Sequence, residues 1–193
     1  VTDSDPTRSP LRQAAAASRR SAGTDAEPDV RAADRLERDR LRAMVDLHEG
    51  RAPVPLLDQE GIDRILATAR RIAVVGASSR ASRPSHGVMA TLLRAGYDVV
   101  PVSPRETEVL GRPCYPDLAS AVAAEGPVDI VDVFRNPEAC PAHAREAVEA
   151  RAGCLWLQLG IVSWEAARIA AEAGIPVVMD RCTAIELRRL PRR

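Results

Sequence analysis

The chain has 193 residues, enough for one ordinary domain with extra segments and short for two. Its 46% hydrophobic content suits a packed core, while 3% aromatics leave little to stack single-stranded nucleic acid on. Net charge is zero, so no polyanion such as DNA is drawn to the molecule as a whole, and no stretch reads as a secretory signal or a membrane span.

All 27 basic residues are arginine. Without lysine there is no Schiff-base chemistry and no Walker-type phosphate lysine, so a side-chain cation holding phosphate must be a guanidinium. The cysteines Cys114, Cys140, Cys154 and Cys182 form no CxxC pair, and His48, His86 and His143 are not clustered with them. No metal site is expected, and the cytoplasm, with reduced thiols, is the expected compartment.

Residues 1 to about 30 hold almost no large apolar side chain and read as an unstructured tail. Arg8, Arg12, Arg19 and Arg20 among Ser and Ala would suit a transit peptide, but Asp3, Asp5 and the acids near Asp25 count against it. The opening valine suits an alternative start codon read literally, with Met44 as a possible downstream start. Residues 31–55 read as a helical extension, with a helix over about 31–49 that is exposed or loosely docked.

The domain proper is expected over 56–193. Asp58 reads as the N-cap of a helix with Ile62, Ile65 and Leu66 on one face. The apolar run 72–75 is a buried strand ending at Gly76, and a helix carrying Val88, Met89, Leu92 and Leu93 stops at Gly96. Residues 97–102 form the second strand. A loop follows, then a short helix over 118–123 and a third strand over 128–134. Asn136–Pro137 reads as N-cap and N1 of a helix. Residues 154–159 form the fourth strand. Ser163 caps a helix ending at Gly174, 176–179 form the fifth strand, and Thr183 with Glu186 reads as a capping box.

Apolar strands alternating with amphipathic helices predict an α/β fold: a Rossmann-like, doubly wound parallel sheet of about five strands with helices on both faces. Ligands in such folds bind beyond the carboxyl ends of the strands. The first such loop runs from Gly76 to Gly87. GxGxxG spacing would need glycine where Ser78 and Ala81 stand, and the P-loop pattern fails too. Yet the loop has the parts of an anion site. Gly76 permits a tight turn, Ser78, Ser79 and Ser85 offer hydroxyls, and Arg80 and Arg83 offer guanidinium groups. Ser85 is expected to cap the next helix, with Gly87 leaving room for a ligand. The same residues would also make a plain polar loop; their place after the first strand favours phosphate.

The segments IAVVGASSRASRPSHGV, GYDVVPVSP, VDIVDVFRNP, WLQLGI and VVMDRC, in this order over roughly 56–190, resemble the small CoA-binding proteins of the YccU type, relatives of the CoA-binding domain of the succinyl-CoA synthetase alpha subunit. The resemblance implies a Rossmann-like domain and coenzyme A as ligand. It places Gly76, Ala77, Ser78 and Ser79 in the turn near the nucleotide phosphates, with Arg83 and Ser85 on phosphate. Pro101, Val102, Ser103 and Pro104 would lie beside the nucleotide. Val133, Phe134 and Arg135, with Gln158 to Gly160, would line the groove toward the pantetheine arm. Ser103 stands where relatives carry asparagine, and Leu187 where they carry a histidine or an aromatic residue.

Among single candidates, Arg135 is equally suited to pyrophosphate and to a carboxylate, and His86 to phosphate or to solvent. Gln158 in an apolar strand points to a polar role at the strand end. Asp132 is expected to be buried and hydrogen-bonded, Asp180 and Arg181 to pair or to cap the sheet edge, and Glu186 to be explained by its capping box. Cys182 precedes a helix start, where a mixed disulfide with CoA is conceivable, against the plainer reading of a small core thiol. The expected function is binding of CoA or an acyl-CoA, non-catalytic or regulatory, with a protein partner or homo-oligomer possible and neither nucleic acid nor membrane expected. The alternatives are an NAD(P)-binding oxidoreductase-like protein, disfavoured because the second strand ends without an acidic residue, and an interaction subunit with a vestigial pocket.

Overall fold

The structure is a computed structural model and describes residues 30–190. The expected tail lies outside these residues but for Val30. The chain divides into two units, Val1–Arg38 and Asp39–Arg193. Of the first, the described part is the opening of helix α1 (Val30–His48), whose residues 31–38 are exposed.

The second unit continues α1 and then alternates helix and strand: α2 (Gln59–Thr68), β1 (Arg71–Val75), α3 (Pro84–Arg94), β2 (Asp98–Val102), β3 (Glu108–Val109), β4 (Arg112–Pro113), α4 (Leu118–Glu125), β5 (Ile130–Val133), α5 (Cys140–Glu149), β6 (Cys154–Leu157), α6 (Trp164–Glu172), β7 (Val177–Val178) and α7 (Thr183–Arg189). Five strands form one parallel sheet in the order β2-β1-β5-β6-β7. The two-fold period of a strand sends alternate side chains to opposite faces. Ala73, Val75, Val131, Val133, Leu155 and Leu157 pack on one face, with buried residues of α4, α5 and α6. Ile72, Val74, Ile130 and Trp156 pack on the other, with α2, α3 and Ala184 of α7. Both faces are covered, which is why the strands carry no polar alternation.

The caps at Asp58 and Ser163 form as expected, accepting from the Gly61 and Ala166 N–H groups. The expected cap at Ser85 does not. Pro84 takes the first helical position, where its fixed φ and missing N–H are harmless, so α3 starts earlier and Arg83 occupies the cap position without a side-chain bond. Asn136 makes no cap bond either: Pro137 opens a 3-10 turn, Pro137–Ala139, and α5 begins at Cys140. The hairpin β3–β4 falls where a plain loop is expected. Its two-residue strands are too short for a periodic signal, and its turn places Leu110 and Gly111 at positive φ.

Helix α1 is more firmly held than expected. Ala43, Met44 and Leu47 pack against the core of the second unit. The Arg40 guanidinium donates two hydrogen bonds to Glu138, at 2.8 and 2.7 Å, and His48 Nε2 lies 2.9 Å from Asp180 Oδ2.

Candidate functional site

The strand order turns the chain outward in opposite directions from β1 and β5, so the two βα loops leaving these strands diverge and open a crevice between them. Gly76, straight after β1, has φ +87°, and a Cβ there would lie 2.8 Å from the Phe134 carbonyl oxygen and 3.0 Å from Arg135 Cδ. Only glycine allows the two central turns to touch. The Gly76 and Ala77 N–H groups donate to the Val102 carbonyl, and Phe134 N–H donates to Val75. Three strand ends are thereby tied beneath one cleft of about 920 Å³.

Of the residues expected at a site, Gly76, Ala77, Ser78, Arg83, Ser85, Ser103, Phe134, Arg135, Gln158 and Gly160 line this cleft. Pro101, Val102 and Val133 are buried strand residues, and Ser79 and Pro104 are exposed; none of these five is in the lining. The contribution of Val102 is its carbonyl, which holds the first turn. Neither His86 nor Gly87 lines the cleft, and the space around a Cβ at Gly87 is open. A second hollow of about 1200 Å³ lies near Arg70, Tyr97 and Asp98, at the amino ends of the strands, away from the βα loops. We place the site in the first, because its lining gathers the loop donors.

One end of the cleft is strongly cationic. Arg80, Arg83, Arg105 and Arg135 line it, and among the described residues none of their guanidinium groups has a hydrogen bond or ion pair. The one carboxylate among them is Glu106. Its Oε1 accepts from Ser79 N–H at 3.0 Å and from Ser78 Oγ at 3.3 Å. The Ser79 backbone bond, with help from Arg80, holds this carboxyl below its ordinary pKa. Arg105 and Glu106 escape sequence reasoning, because they sit one and two residues past the second motif, which ends at Pro104, and only the fold turns them back onto the first loop. Ser103 Oγ accepts from Arg105 N–H at 3.4 Å. The Ser85 hydroxyl, on a residue 4% exposed, makes no hydrogen bond among the described residues.

The other end rests on a buried polar cluster. Asp132 is fully buried in the middle of β5, opposite Val74 and Trp156. Gln158 Nε2 donates to both of its oxygens, at 2.8 and 3.0 Å, and Thr183 Oγ donates to Oδ2 at 2.9 Å. Burial raises the Asp132 carboxyl from 3.8 to about 7, against the opposing pull of the hydrogen bonds from Gln158 and Thr183. The expectation of a buried, bonded Asp132 is met. The capping box is not: Cys182 occupies the cap position, the Thr183 hydroxyl turns to Asp132, and Glu186, 2% exposed, is held by Arg181 and Arg189. The buried carboxylate draws the threonine hydroxyl, and the two guanidinium groups draw Glu186, more strongly than backbone N–H groups at the helix start would. Nor do Asp180 and Arg181 pair together. Asp180, at φ 53°, accepts from Gly160 N–H at 2.7 Å and so clasps the loop after β6. Leu187 packs against the sheet face that carries Ile72, Val74, Ile130 and Trp156.

Cys182 lines the cleft and is half-buried. Arg40 and Met44 of α1 complete the rim, a contribution from outside the span of the resemblance. Among the described residues, no group of three or more His, Cys, Asp or Glu side chains is placed to hold a metal ion.

The family described as CoA binding domain matches residues 70–188. The uncharacterized protein YneT of Bacillus subtilis (strain 168) is 41% identical over 124 residues, 64% of this chain and 90% of that one. A solved structure from Thermus thermophilus is 41% identical with a TM-score of 0.65, covering 70% of this chain and 100% of that one. A hypothetical protein from Pyrococcus horikoshii OT3 is 38% identical with a TM-score of 0.66, covering 69% and 92%. With a five-stranded parallel sheet, a cleft at its switch point and a family match over most of its length, this chain belongs to the CoA binding domain family.

Proposed function

We propose that the cleft binds coenzyme A or an acyl-CoA, and that the chain is a cytoplasmic, regulatory binding protein rather than an enzyme in its own right. Residues 56–193 carry the binding, and the helical extension over 31–55 adds Arg40 and Met44 to the rim. The observation that carries the reading is the cluster of four arginines around the first βα turn, which have no ion-pair partners among the described residues. Coenzyme A brings a pyrophosphate and a 3′-phosphate, about four negative charges in all, and guanidinium groups suit phosphate oxygens by charge and by fork geometry. The free Ser85 hydroxyl, the amino end of α3 and the missing Cβ at Gly76 fit the same anion. Met44, Phe134, Ile161 and Val162 give the remaining wall the apolar character that a pantetheine arm needs. Residues Pro101 to Pro104 offer no carboxylate to a nicotinamide cofactor's ribose, which favours CoA over NAD(P). No described helix is long and apolar enough to cross a membrane.

Calorimetry on the full chain, with NAD as the comparison ligand, tests the reading. Saturable CoA binding that Arg83→Ala weakens about tenfold is expected, as for loss of one charge-assisted contact. NAD binding without CoA binding would replace this reading with the oxidoreductase-like one. Binding of neither would leave an interaction subunit.

A further inference from the structure

The Gln158 amide is oriented by partners on one side only. Its two Nε2 hydrogens are shared among three acceptors, both oxygens of Asp132 and, at 2.8 Å, Thr183 Oγ. Thr183 spends its own proton on Asp132, so its oxygen can only accept from Gln158. With Asp132 ionised, the amide therefore cannot reverse without setting its carbonyl against the carboxylate. Among the described residues its Oε1 has no hydrogen-bond partner, on a residue only 3% exposed that lines the cleft. Among the described residues, the one buried side-chain polar atom both unpartnered and sealed from solvent is Trp164 Nε1, so Gln158 Oε1 retains an opening. An acceptor so deeply placed asks for a donor from whatever fills the cleft.

We infer that Gln158 reads an amide: its Oε1 accepts an N–H from the amide-bearing arm of the ligand, with Asp132 and Thr183 as the positioning residues that keep the oxygen turned to the cleft. The inference rests on the CoA reading, since the pantetheine arm carries two secondary amides and the nucleotide half carries none at this end. It divides the cleft into a charge-reading end at the first loop and an amide-reading end over β5 and β6. It also gives a reason for placing a carboxylate in the core of β5, where an apolar residue would pack more simply.

The full chain is titrated in a calorimeter with CoA and, separately, with 3′-phosphoadenosine 5′-diphosphate, which keeps the phosphates and lacks the arm. Gln158→Met, close in shape but without an acceptor, is expected to weaken CoA about tenfold while leaving the truncated nucleotide within about twofold. Retained nucleotide binding shows in the same experiment that the variant is folded. Thr183→Val and Thr183→Ser supply a second test: the valine variant loses part of the CoA affinity, and the serine variant, which keeps the hydroxyl, restores it. Equal losses for both ligands, or no loss for either, would overturn the amide-reading role while leaving the CoA reading intact. If the unaltered chain binds neither ligand, the CoA reading itself falls, and this inference with it.

Discussion

The two ends of the cleft solve opposite problems. At the first loop, four guanidinium groups wait without ion-pair partners among the described residues. Over β5 and β6, a carboxylate, an amide and a hydroxyl are buried and bonded to one another, with one acceptor to spare. The first end can attract a ligand from a distance, because unscreened charge acts over several ångströms. The second cannot attract, but it holds its groups in one geometry. Attraction and orientation are thus assigned to separate strands, joined at the Gly76–Phe134 contact.

The largest way to break this comparison is through Asp132. Its folded pKa of about 7 lies above the ordinary 3.8, so the native state holds the proton more tightly than the unfolded chain does. Its contribution to stability is full below about pH 4, is lost as pH rises toward 7, and is level above that. The span corresponds to about 4 kcal/mol. Urea unfolding from pH 4.5 to 8 should show the Asp132→Asn variant gaining on the unaltered protein by that order as pH rises. Parallel profiles would mean that the carboxylate is no more strained than a surface one.

A smaller break is expected at the joint. Gly76→Ala meets both a positive φ and a carbonyl oxygen 2.8 Å away, and should cost about 2–3 kcal/mol in unfolding free energy. It should weaken both CoA and the truncated nucleotide, since neither end can then keep its place. Gly87→Ala, with open space around it, serves as the control.

The smallest effect sharpens the contrast instead. Glu106 holds the Ser79 N–H and the Ser78 hydroxyl that a phosphate would use. Glu106→Gln should therefore tighten CoA binding about threefold, by removing a charged competitor among arginines. A loss of affinity would instead make Glu106 part of the ligand's own contact set.

How far this could be read in advance depended on the range of the deciding interaction. The strands, their parallel pairing and the turn at Gly76 follow from local apolar runs and breakers. Gln158 stood out because a polar residue in such a run needs a partner. The capping box at Thr183 and Glu186 misled for the converse reason: its spacing is right, but Asp132 lies 51 residues away and competes for the threonine hydroxyl. Glu106 reaches Ser79 across 27 residues and Arg40 reaches Glu138 across 98, distances that no local pattern encodes. Ser85 was misassigned by a single neighbour, since a proline one position earlier moves the start of the helix.

The docking of α1 bears on how this molecule can be handled. The stretch shared with its family begins at residue 70, yet Arg40 and Met44 stand on the rim of the cleft. A fragment trimmed to the shared stretch would lose part of its wall, strip Glu138 of its guanidinium and uncover the apolar patch that Ala43, Met44 and Leu47 shield. The boundary of common ancestry is therefore narrower than the boundary of the working unit, and a fragment cut along the former would understate what the whole chain can hold.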